Sequence, residues 1–365
     1  MQGKINMGIL VPTVLLIITG WLLVFSSSAY LSLNQFGSPY NYIKNQTVFI
    51  LIGFGVMFLT SIVNYKIYDN AIVVFLIATV AMVLMALTPI IGIEVNSATR
   101  WIEIGGQRFM PVDIAKVALV MVMSYTLSHF VVKKKKYVAF LIHMIYPSIL
   151  FIFTYQQPDF SSMLILFGTM VAILFIGFEP VTYVLTLVAG GFAGIFALAK
   201  LAPYRMVRLV GFLEGLKNID NAMRQIRYGI LAIASGGIFG VGPGESVFNK
   251  LWVPEPHNDM ILSTLGEEFG FVGIVFVLSL YFVLILNIIK MVLKLRDPFS
   301  RNLAFGIGMI IFLQFTVNFG NTLGLLPPTG ISLPFISYGG TNIIILMALV
   351  GILLSIHRVN WRYLK

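Results

Sequence analysis

The chain has 365 residues, of which 58% are hydrophobic and only 10% are charged. A soluble domain carries about 25% charged residues and could not bury this much apolar surface, so a soluble enzyme and a nucleic-acid-binding module are both excluded. The composition predicts a polytopic membrane protein, in which the net charge of +10 places basic residues at the cytoplasmic face, and the absence of Cys excludes disulfides and thiolate chemistry.

Ten apolar stretches have the length of a membrane-spanning helix, which predicts an all-α polytopic membrane protein with about ten transmembrane helices. They lie at 8–27, 45–63, 71–90, 113–132, 137–155, 162–178, 181–200, 264–290, 302–324 and 341–356. An even number of crossings places both termini on one side. More than half of the 24 Lys and Arg residues, including the run Lys133–Lys136, fall on that side, whereas 28–44 and 156–161 contain only Lys44. This asymmetry predicts that both termini are cytoplasmic.

Three segments are longer and more polar than ordinary connections, and all of them fall on the extracytoplasmic side of this topology: 91–112, 201–260 and 325–340. The large loop 201–260 separates helices 7 and 8. Apolar residues recur at helical spacing in it between Met223 and Ile233, which predicts a short amphipathic helix at the membrane interface. The chain 1–365 is interpreted as one integral membrane domain whose chemistry lies on its outer face.

Carboxylates are scarce, with 14 Asp and Glu in the chain, so those near a membrane border are informative. Asp113 and Lys116 share a helical face at the start of the fourth span. They either neutralise each other as an ion pair or line a polar site for a substrate head group. Asp159 follows Pro158 at an outer turn, where it either caps the sixth span or contributes to the same polar site.

The segment 253–261 is the sharpest candidate for a functional site. Prolines on both sides of Glu255 stiffen an extended stretch, which brings His257 and Asp259 to the outer end of the eighth span. Asp259 either caps that helix or performs chemistry at the interface. One His with one or two carboxylates is too few ligands for a metal site, so no metal ligands are assigned.

Basic residues of the outer segments complement this carboxylate. Arg205 and Arg208 lie on one helical turn of the large loop, and Arg100 comes from the first outer segment. Arg binds phosphate oxygens in a bidentate manner, although each Arg alone could instead extend toward lipid head groups. Several of them beside a single Asp favour a phosphate-bearing lipid as the substrate.

Two patterns in the spans are interpreted as packing. The amides of Gln314, Asn318 and Asn321 share a face of the ninth span, which predicts hydrogen bonds to neighbouring helices. Gly190 and Gly194 form a GxxxG pattern in the seventh span, which is typical of close helix contacts.

These motifs, taken in order, resemble those of the SEDS family (shape, elongation, division and sporulation), the FtsW/RodA-type peptidoglycan glycosyltransferases. The similar stretches, with the family patterns, are 95–102 (VNGAxRWI), 111–116 (QPSELAK), 157–159 (QPDLG), 204–209 (YRxxRL), 254–259 (PEAHTD) and 324–340 (GLLPxTGxxLPFISYGG). The resemblance runs from about residue 45 to residue 356. The chain departs from the family at Asp113, where the family has Glu, and at Asn258, where it has Thr.

The resemblance implies a peptidoglycan glycosyltransferase that polymerises lipid II on the outer face of the bacterial cytoplasmic (inner) membrane. It assigns Asp259 as the catalytic carboxylate. The substrate-binding candidates are Arg100, Asp113, Lys116, Asp159, Arg205, Arg208 and His257. It also implies a divalent cation, Mg²⁺ or Mn²⁺, with unknown ligands. The implied partner is a class B penicillin-binding protein, a transpeptidase, in addition to membrane lipids; no nucleic acid is expected.

The implied reaction needs one base and several cations. The 4-hydroxyl of one saccharide attacks C1 of another, and the polyprenyl diphosphate leaves already ionised, so it requires positive charge and no general acid. Asp259 would accept the proton of the attacking hydroxyl. Arg and Lys residues of the outer face would stabilise the diphosphate.

Two other functions stay open at this point. A lipid II flippase would need a polar path through the bilayer, whereas the visible polar groups cluster on one side. A non-catalytic scaffold of the division or elongation complex would not depend on Asp259. Roles in division, elongation and sporulation are not distinguished.

Overall fold

The computed structural model describes residues 4–95, 98–130, 136–177, 181–200 and 203–364. Its helices are α1 Met7–Phe36, α2 Asn41–Ile62, α3 Ala71–Ile91, α4 Pro111–His129, α5 Lys136–Gln156, α6 Phe160–Gly177, α7 Val181–Lys200, α8 Pro203–Lys217, α9 Arg224–Ser235, α10 Phe248–Leu251, α11 Ile261–Lys294, α12 Pro298–Thr322, α13 Gly340–Val359 and α14 Trp361–Leu364. The strands are β1 Ile93–Val95, β2 Ala98–Ile104 and β3 Gln107–Phe109, and short 3₁₀ turns lie at Tyr65–Asp69 and Ile219–Asn221.

A long helix occupies each of the ten predicted spans. Among the described residues, nine helices are long and apolar enough to cross a membrane. The remaining one, α7, has 20 residues at the predicted position, and its described apolar part is Val181–Gly191. The prediction of a polytopic helical membrane protein is therefore confirmed.

The first outer segment adds a small antiparallel sheet to this helical protein. Its strands are ordered β1-β2-β3, and Ile102 of β2 lies opposite Phe109 of β3. Gly105 and Gly106 join these two strands with φ values of 59° and 75°. A two-residue hairpin turn of this kind requires positive φ at both central positions, which glycine adopts without strain. The helical spacing patterns gave no indication of this hairpin.

The first and last described residues lie at the same end of the helix bundle. The ring Nδ1 of His357, near the end of α13, lies 3.0 Å from the carbonyl oxygen of Lys4. At the same end, the ammonium of Lys294 donates to the carbonyl of Leu364 at 2.9 Å. Because successive long helices alternate in direction, the three long polar segments lie together at the opposite end. The predicted grouping of the outer segments therefore agrees with the fold.

Helix α11 is broken near its outer end by Gly270, which has φ 64° and ψ −160°. The turn after α9 docks on the break, because the Phe271 amide donates to the carbonyl of Gly237 at 3.0 Å. In the other direction, the Val241 amide donates to the carbonyl of Glu267 at 2.9 Å. The large loop therefore supplies the backbone partners that the broken helix lacks, and the outer part of α11 lies beneath it.

Candidate active site at the outer end of the bundle

Residues 253–260, here called the strap, lead into α11 and are fixed by their backbone. Three consecutive carbonyl oxygens of the strap accept hydrogen bonds from α12 or from the loop after it: His257 from the Tyr338 amide (2.9 Å), Asn258 from the Ser337 hydroxyl (2.6 Å) and Asp259 from the Asn318 amide group (2.7 Å). Three fixed carbonyls in a row leave this stretch little backbone freedom. The position of Asp259 is thus set by the end of α12 and the segment that follows it.

The carboxylate of Asp259 does not cap α11. The N-cap residue of this helix is Met260, which makes no side-chain capping bond. Instead, Oδ2 of Asp259 accepts a hydrogen bond from Nε2 of Gln225 on α9, at 2.7 Å. Asp259 is partly accessible to solvent. The capping interpretation is therefore wrong, and the carboxylate lies between the strap and α9.

His257 is enclosed beneath the strap by two tyrosines. Its ring centroid lies 4.6 Å from that of Tyr42 and 5.7 Å from that of Tyr338, and only 3% of the residue is exposed. Burial lowers the pKa of His257 to about 4, although the charge of Glu255 acts in the opposite direction. A neutral imidazole packed between rings supports the strap from below. Its predicted contact with substrate stays a prediction.

Asp113 and Lys116 form the predicted ion pair in the first turn of α4. The ammonium donates to Oδ1 at 2.8 Å, and the two residues are only 4% and 7% exposed. Both charged groups lose their hydration when they are buried. Each then depends on the other for its stabilisation, so the pair is held together strongly. The ion-pair interpretation is confirmed, while a role of the pair in substrate binding stays a prediction.

Arg100 of β2 contacts the turn that precedes α6. Its guanidinium lies 3.7 Å from Oδ1 of Asp159 and donates to the carbonyl of Pro158. The same Oδ1 accepts the Ser162 amide at 3.1 Å, so Asp159 caps α6 as one of its two interpretations predicted. The first outer segment is thereby tied to the start of α6. Two of the predicted site residues meet here.

Arg205 and Arg208 lie on one turn of α8, as their spacing predicted. Their side chains fall outside the described part of the structure, so their contacts stay predictions. The described hydrogen bonds and ion pairs place the other predicted residues in three groups: the strap, the Asp113–Lys116 pair, and Arg100 with Asp159.

The hairpin of the first outer segment reaches toward the strap. Burial raises the pKa of the Tyr338 hydroxyl, and the charge of Arg108 on β3 opposes this rise. Strand β3 also packs against α13, which begins two residues after Tyr338. Since Tyr338 also packs on His257, the β2–β3 hairpin and the strap share one side of the outer surface.

In the part of the chain that is described, Asn318 and Asn321 on the amide face of α12 bond to the strap and to the loop after α12, and not to other helices. Asn318 donates to the carbonyl of Ile331 at 2.7 Å, in addition to that of Asp259. Asn321 donates to the carbonyl of Thr329 at 3.0 Å. The sequence spacing identified the face, but the predicted partners were wrong, because the loop after α12 folds back over its end.

Glu267 and Glu268 are adjacent on α11, and their carboxylates bond to different elements. The carboxylate of Glu267 accepts four hydrogen bonds from residues 247–249. The carboxylate of Glu268 accepts the hydroxyl of Ser26 on α1 at 2.5 Å. Both residues are only 1% exposed. They attach the large loop and α1 to α11, a role that their sequence positions did not reveal.

The resemblance implies a divalent cation, whose ligands the sequence leaves unknown. Within the described parts of the chain, no group of three or more His, Asp or Glu residues is close enough to hold an ion. Mg²⁺ is often held by one or two carboxylates together with substrate phosphates. The described residues therefore do not assign ligands to a cation, and the reaction proposed below has no step that passes through one.

An apolar cavity of about 170 Å³ lies between α5, α6 and α7. It is lined by Phe151, Phe160, Met163, Leu164, Phe167, Gly191 and Gly194. A Cβ atom built on Gly190 or Gly194 would meet nothing within 4 Å among the described atoms. Among the described atoms, these two glycines therefore make no close helix contact, and Gly194 lines a cavity instead.

Known proteins resemble the chain along almost its full length. The sequence profile of the FtsW/RodA/SpoVE family, described as "Cell cycle protein", matches residues 7–361. The probable peptidoglycan glycosyltransferase FtsW of Geobacter sp. (strain M18) is 34% identical over 352 residues, which cover 96% of each chain. The protein of the same name from Haemophilus influenzae is 34% identical over 353 residues, covering 95% of this chain and 89% of the relative.

Solved structures share the fold at low sequence identity. A chain from a study of structural coordination of polymerization and crosslinking by a peptidoglycan synthase complex has a TM-score of 0.78 and 22% identity, covering 98% of this chain and 99% of that one. The rod shape determining protein RodA of Thermus thermophilus has a TM-score of 0.72 and 22% identity, covering 98% and 97%. Since the family profile covers nearly every residue and the fold agrees, this chain belongs to the FtsW/RodA/SpoVE family of cell cycle proteins.

Proposed function

We propose that this chain is a peptidoglycan glycosyltransferase that polymerises lipid II at the outer face of the bacterial cytoplasmic membrane, with Asp259 as its catalytic base. Family membership and the names of the relatives support the reaction class. One structural observation carries the assignment of the base. Asp259 is a partly exposed carboxylate on a strap whose three carbonyl bonds fix it at the outer end of the bundle.

The chemistry of lipid-linked sugars suits a single carboxylate. The attacking 4-hydroxyl loses its proton as the new glycosidic bond forms at C1, and Asp259 accepts that proton. The bond from C1 to the diphosphate breaks at the same centre. The diphosphate leaves as an anion, so the site requires positive charge in place of a second, protonated carboxyl group.

We assign the stabilisation of the diphosphate to arginines of the outer segments. Arg205 and Arg208 occupy one turn of α8 in the same loop that carries the strap. Arg100 is held at the start of α6 by Asp159 and retains further N–H groups for an anion. Lys116 suits this role less, because it is buried and its charge is balanced by Asp113.

The proposal includes a partner and an orientation. A chain of similar fold belongs to a complex that coordinates polymerization with crosslinking, which supports a class B penicillin-binding protein as the partner. Lys4, Lys66 and Lys294 lie at the end of the bundle that holds the first and last described residues. Their positive charge supports a cytoplasmic location for this end. The role belongs to cell division or elongation.

Polymerisation of labelled lipid II by the purified protein with its partner in detergent tests the function. Because detergent abolishes the two sides of a membrane, a flippase would produce no glycan. We expect chains from the wild type, and Asp259→Asn should lower the rate by about 10²- to 10⁴-fold, the usual contribution of a general base. Parallel reactions with EDTA test the predicted divalent cation.

Glu255→Gln is the matched control for this experiment. It removes a carboxylate from the same strap while its side-chain oxygen can still accept the hydrogen bond from Asn258. We expect nearly wild-type polymerisation from this variant. Wild-type turnover by Asp259→Asn would refute the assignment of the base, and a wild type that yields no glycan would refute the polymerase.

A further inference from the structure

The strap fixes the backbone of Asp259, but another element contacts its carboxylate. Gln225 lies in the first turn of α9, and its Nε2 is 2.7 Å from Oδ2 of Asp259. A carboxylate is acceptor-only when ionised, so the amide N–H₂ of Gln225 is the donor. Gln225 was not among the site residues predicted from the sequence, which were charged residues and one His.

Helix α9 is placed firmly enough to hold a donor in position. Ile226 and Ala232 are buried beneath it, at 4% and 0% exposure. Gly236 ends the helix against the backbone of α11, where an added Cβ would lie 2.0 Å from the carbonyl oxygen of Gly266. The helix therefore touches α11 directly at one end and presents Gln225 to Asp259 at the other.

We propose that Gln225 is a positioning residue that sets the rotation of the Asp259 carboxylate for proton transfer, an inference that rests on the proposed function. Fixed strap carbonyls determine where the Cα atom of Asp259 lies, but they do not set its side-chain torsions. The hydrogen bond from Gln225 restricts these torsions and commits Oδ2. Reacting groups must be aligned before the barrier is crossed, and a displacement of about 1 Å can cost about 100-fold in rate.

A neutral donor suits this position better than a cation. Charged residues lie close to Gln225 and Asp259 along the chain: Arg224 and Arg227 on α9, and Glu255 on the strap. Arg227 pairs with Asp220 at 2.7 Å, and Glu255 accepts the side chain of Asn258 at 2.8 Å. His257 of the strap and Asn318 of α12, which donates to the carbonyl of Asp259, are neutral. A formal positive charge at position 225 would stabilise the carboxylate strongly and weaken it as a base, whereas an amide orients it at a smaller cost in basicity.

The kinetics of Gln225→Leu, Gln225→Asn and Gln225→Glu test the proposal. Gln225→Leu removes the donor, and Gln225→Asn shortens its reach by one methylene, so both should lower kcat by about 10- to 100-fold. KM for lipid II should stay within about twofold, because the side chain acts on the base and not on the substrate. Gln107→Leu, at an exposed position of β3, is the matched control and should keep both constants.

The pH profile separates positioning from a merely structural role. A carboxylate that loses a hydrogen bond to its charged form has a higher pKa, so the acidic limb of kcat should move to higher pH in Gln225→Leu. In Gln225→Glu a second carboxylate faces the first, and the limb should move further in the same direction. Melting temperatures in detergent should stay close to that of the wild type.

Three results would overturn the proposal. They are a wild-type kcat with an unmoved pH profile in Gln225→Leu, a loss confined to KM, or a loss of activity that merely follows a lower melting temperature. Failure of the proposed function is a separate outcome. It would appear as turnover by Asp259→Asn, whatever the behaviour of the Gln225 variants.

Discussion

At the scale of single residues, Asp113 and Lys116 still have two possible roles. Their ion pair is buried, with 2.8 Å between the ammonium and Oδ1. Removing one partner leaves an uncompensated buried charge, so Lys116→Met alone should lower the free energy of unfolding by about 3–5 kcal/mol. The double variant Asp113→Asn with Lys116→Met should regain most of this loss, as thermal melting in detergent can measure. A folded but inactive double variant would assign the pair to the substrate, and an active one would make it structural.

His257 predicts a dependence of stability on pH. Its pKa is about 4 in the folded protein, because burial disfavours the charged imidazole, against an ordinary value of 6.5. Below pH 6.5 the unfolded chain therefore binds a proton that the folded chain does not. Stability falls as the pH drops from 6.5 to 4, by up to about 3 kcal/mol.

The variant His257→Phe tests this prediction, because a phenyl ring can occupy the space between Tyr42 and Tyr338. The melting temperature should depend less steeply on pH between 6.5 and 4 in this variant than in the wild type. The other histidines are present in both proteins, so the quantity to compare is the difference between the two slopes of melting temperature against pH. Equal slopes would show that the imidazole of His257 does not resist protonation.

At the scale of structural elements, the break in α11 depends on one glycine. The φ and ψ of Gly270 lie in a region that only glycine occupies readily. A Cβ there would also lie 2.4 Å from the amide nitrogen of Gly240, which is backbone and cannot move aside easily. Gly270→Ala should therefore destabilise the protein by at least about 1–3 kcal/mol through strain alone and loosen the large loop.

The control for this prediction is Gly190→Ala in α7. A Cβ there meets nothing within 4 Å among the described atoms, and Ala is favoured over Gly in a helix by about 1 kcal/mol. Its melting temperature should equal or exceed that of the wild type. If Gly270→Ala melted at the same temperature as this control, the broken form of α11 would not be the one present in solution.

At the scale of the whole molecule, the orientation in the membrane can be measured directly. The chain contains no Cys, so a single introduced thiol reports one position without background. In cells made permeable only at the outer membrane, a membrane-impermeant maleimide should label Gln107→Cys in the β2–β3 hairpin. It should label Lys66→Cys only after lysis. The reverse pattern would invert the topology and place Asp259 on the cytoplasmic side.

The large-scale architecture could be predicted from the sequence because a membrane crossing constrains the local composition of the chain. A helix that spans lipid must satisfy its own backbone hydrogen-bonding groups and contain about 20 apolar residues. A run of this length can be recognised in the sequence without knowledge of the rest of the fold. The helix of the large loop was predicted for a similar reason, as its apolar residues recur at helical spacing and form α9, Arg224–Ser235. The prolines on both sides of Glu255 already indicated the segment that holds Asp259, and the motif resemblance then implied the role of this residue.

Local patterns in the sequence were enough to predict the ten helices, the end of the bundle at which the polar segments gather, and the scarce carboxylates. The role of each carboxylate depends on tertiary contacts: Asp259 meets Gln225 instead of capping α11, while Glu267 anchors residues 247–249. The hydrogen bond from Asn318 that fixes the strap likewise depends on tertiary contacts. The physical reason is that helical periodicity depends on neighbours within a few residues. A hydrogen bond between segments tens of residues apart depends on how helices pack and loops fold back, and no local pattern encodes it.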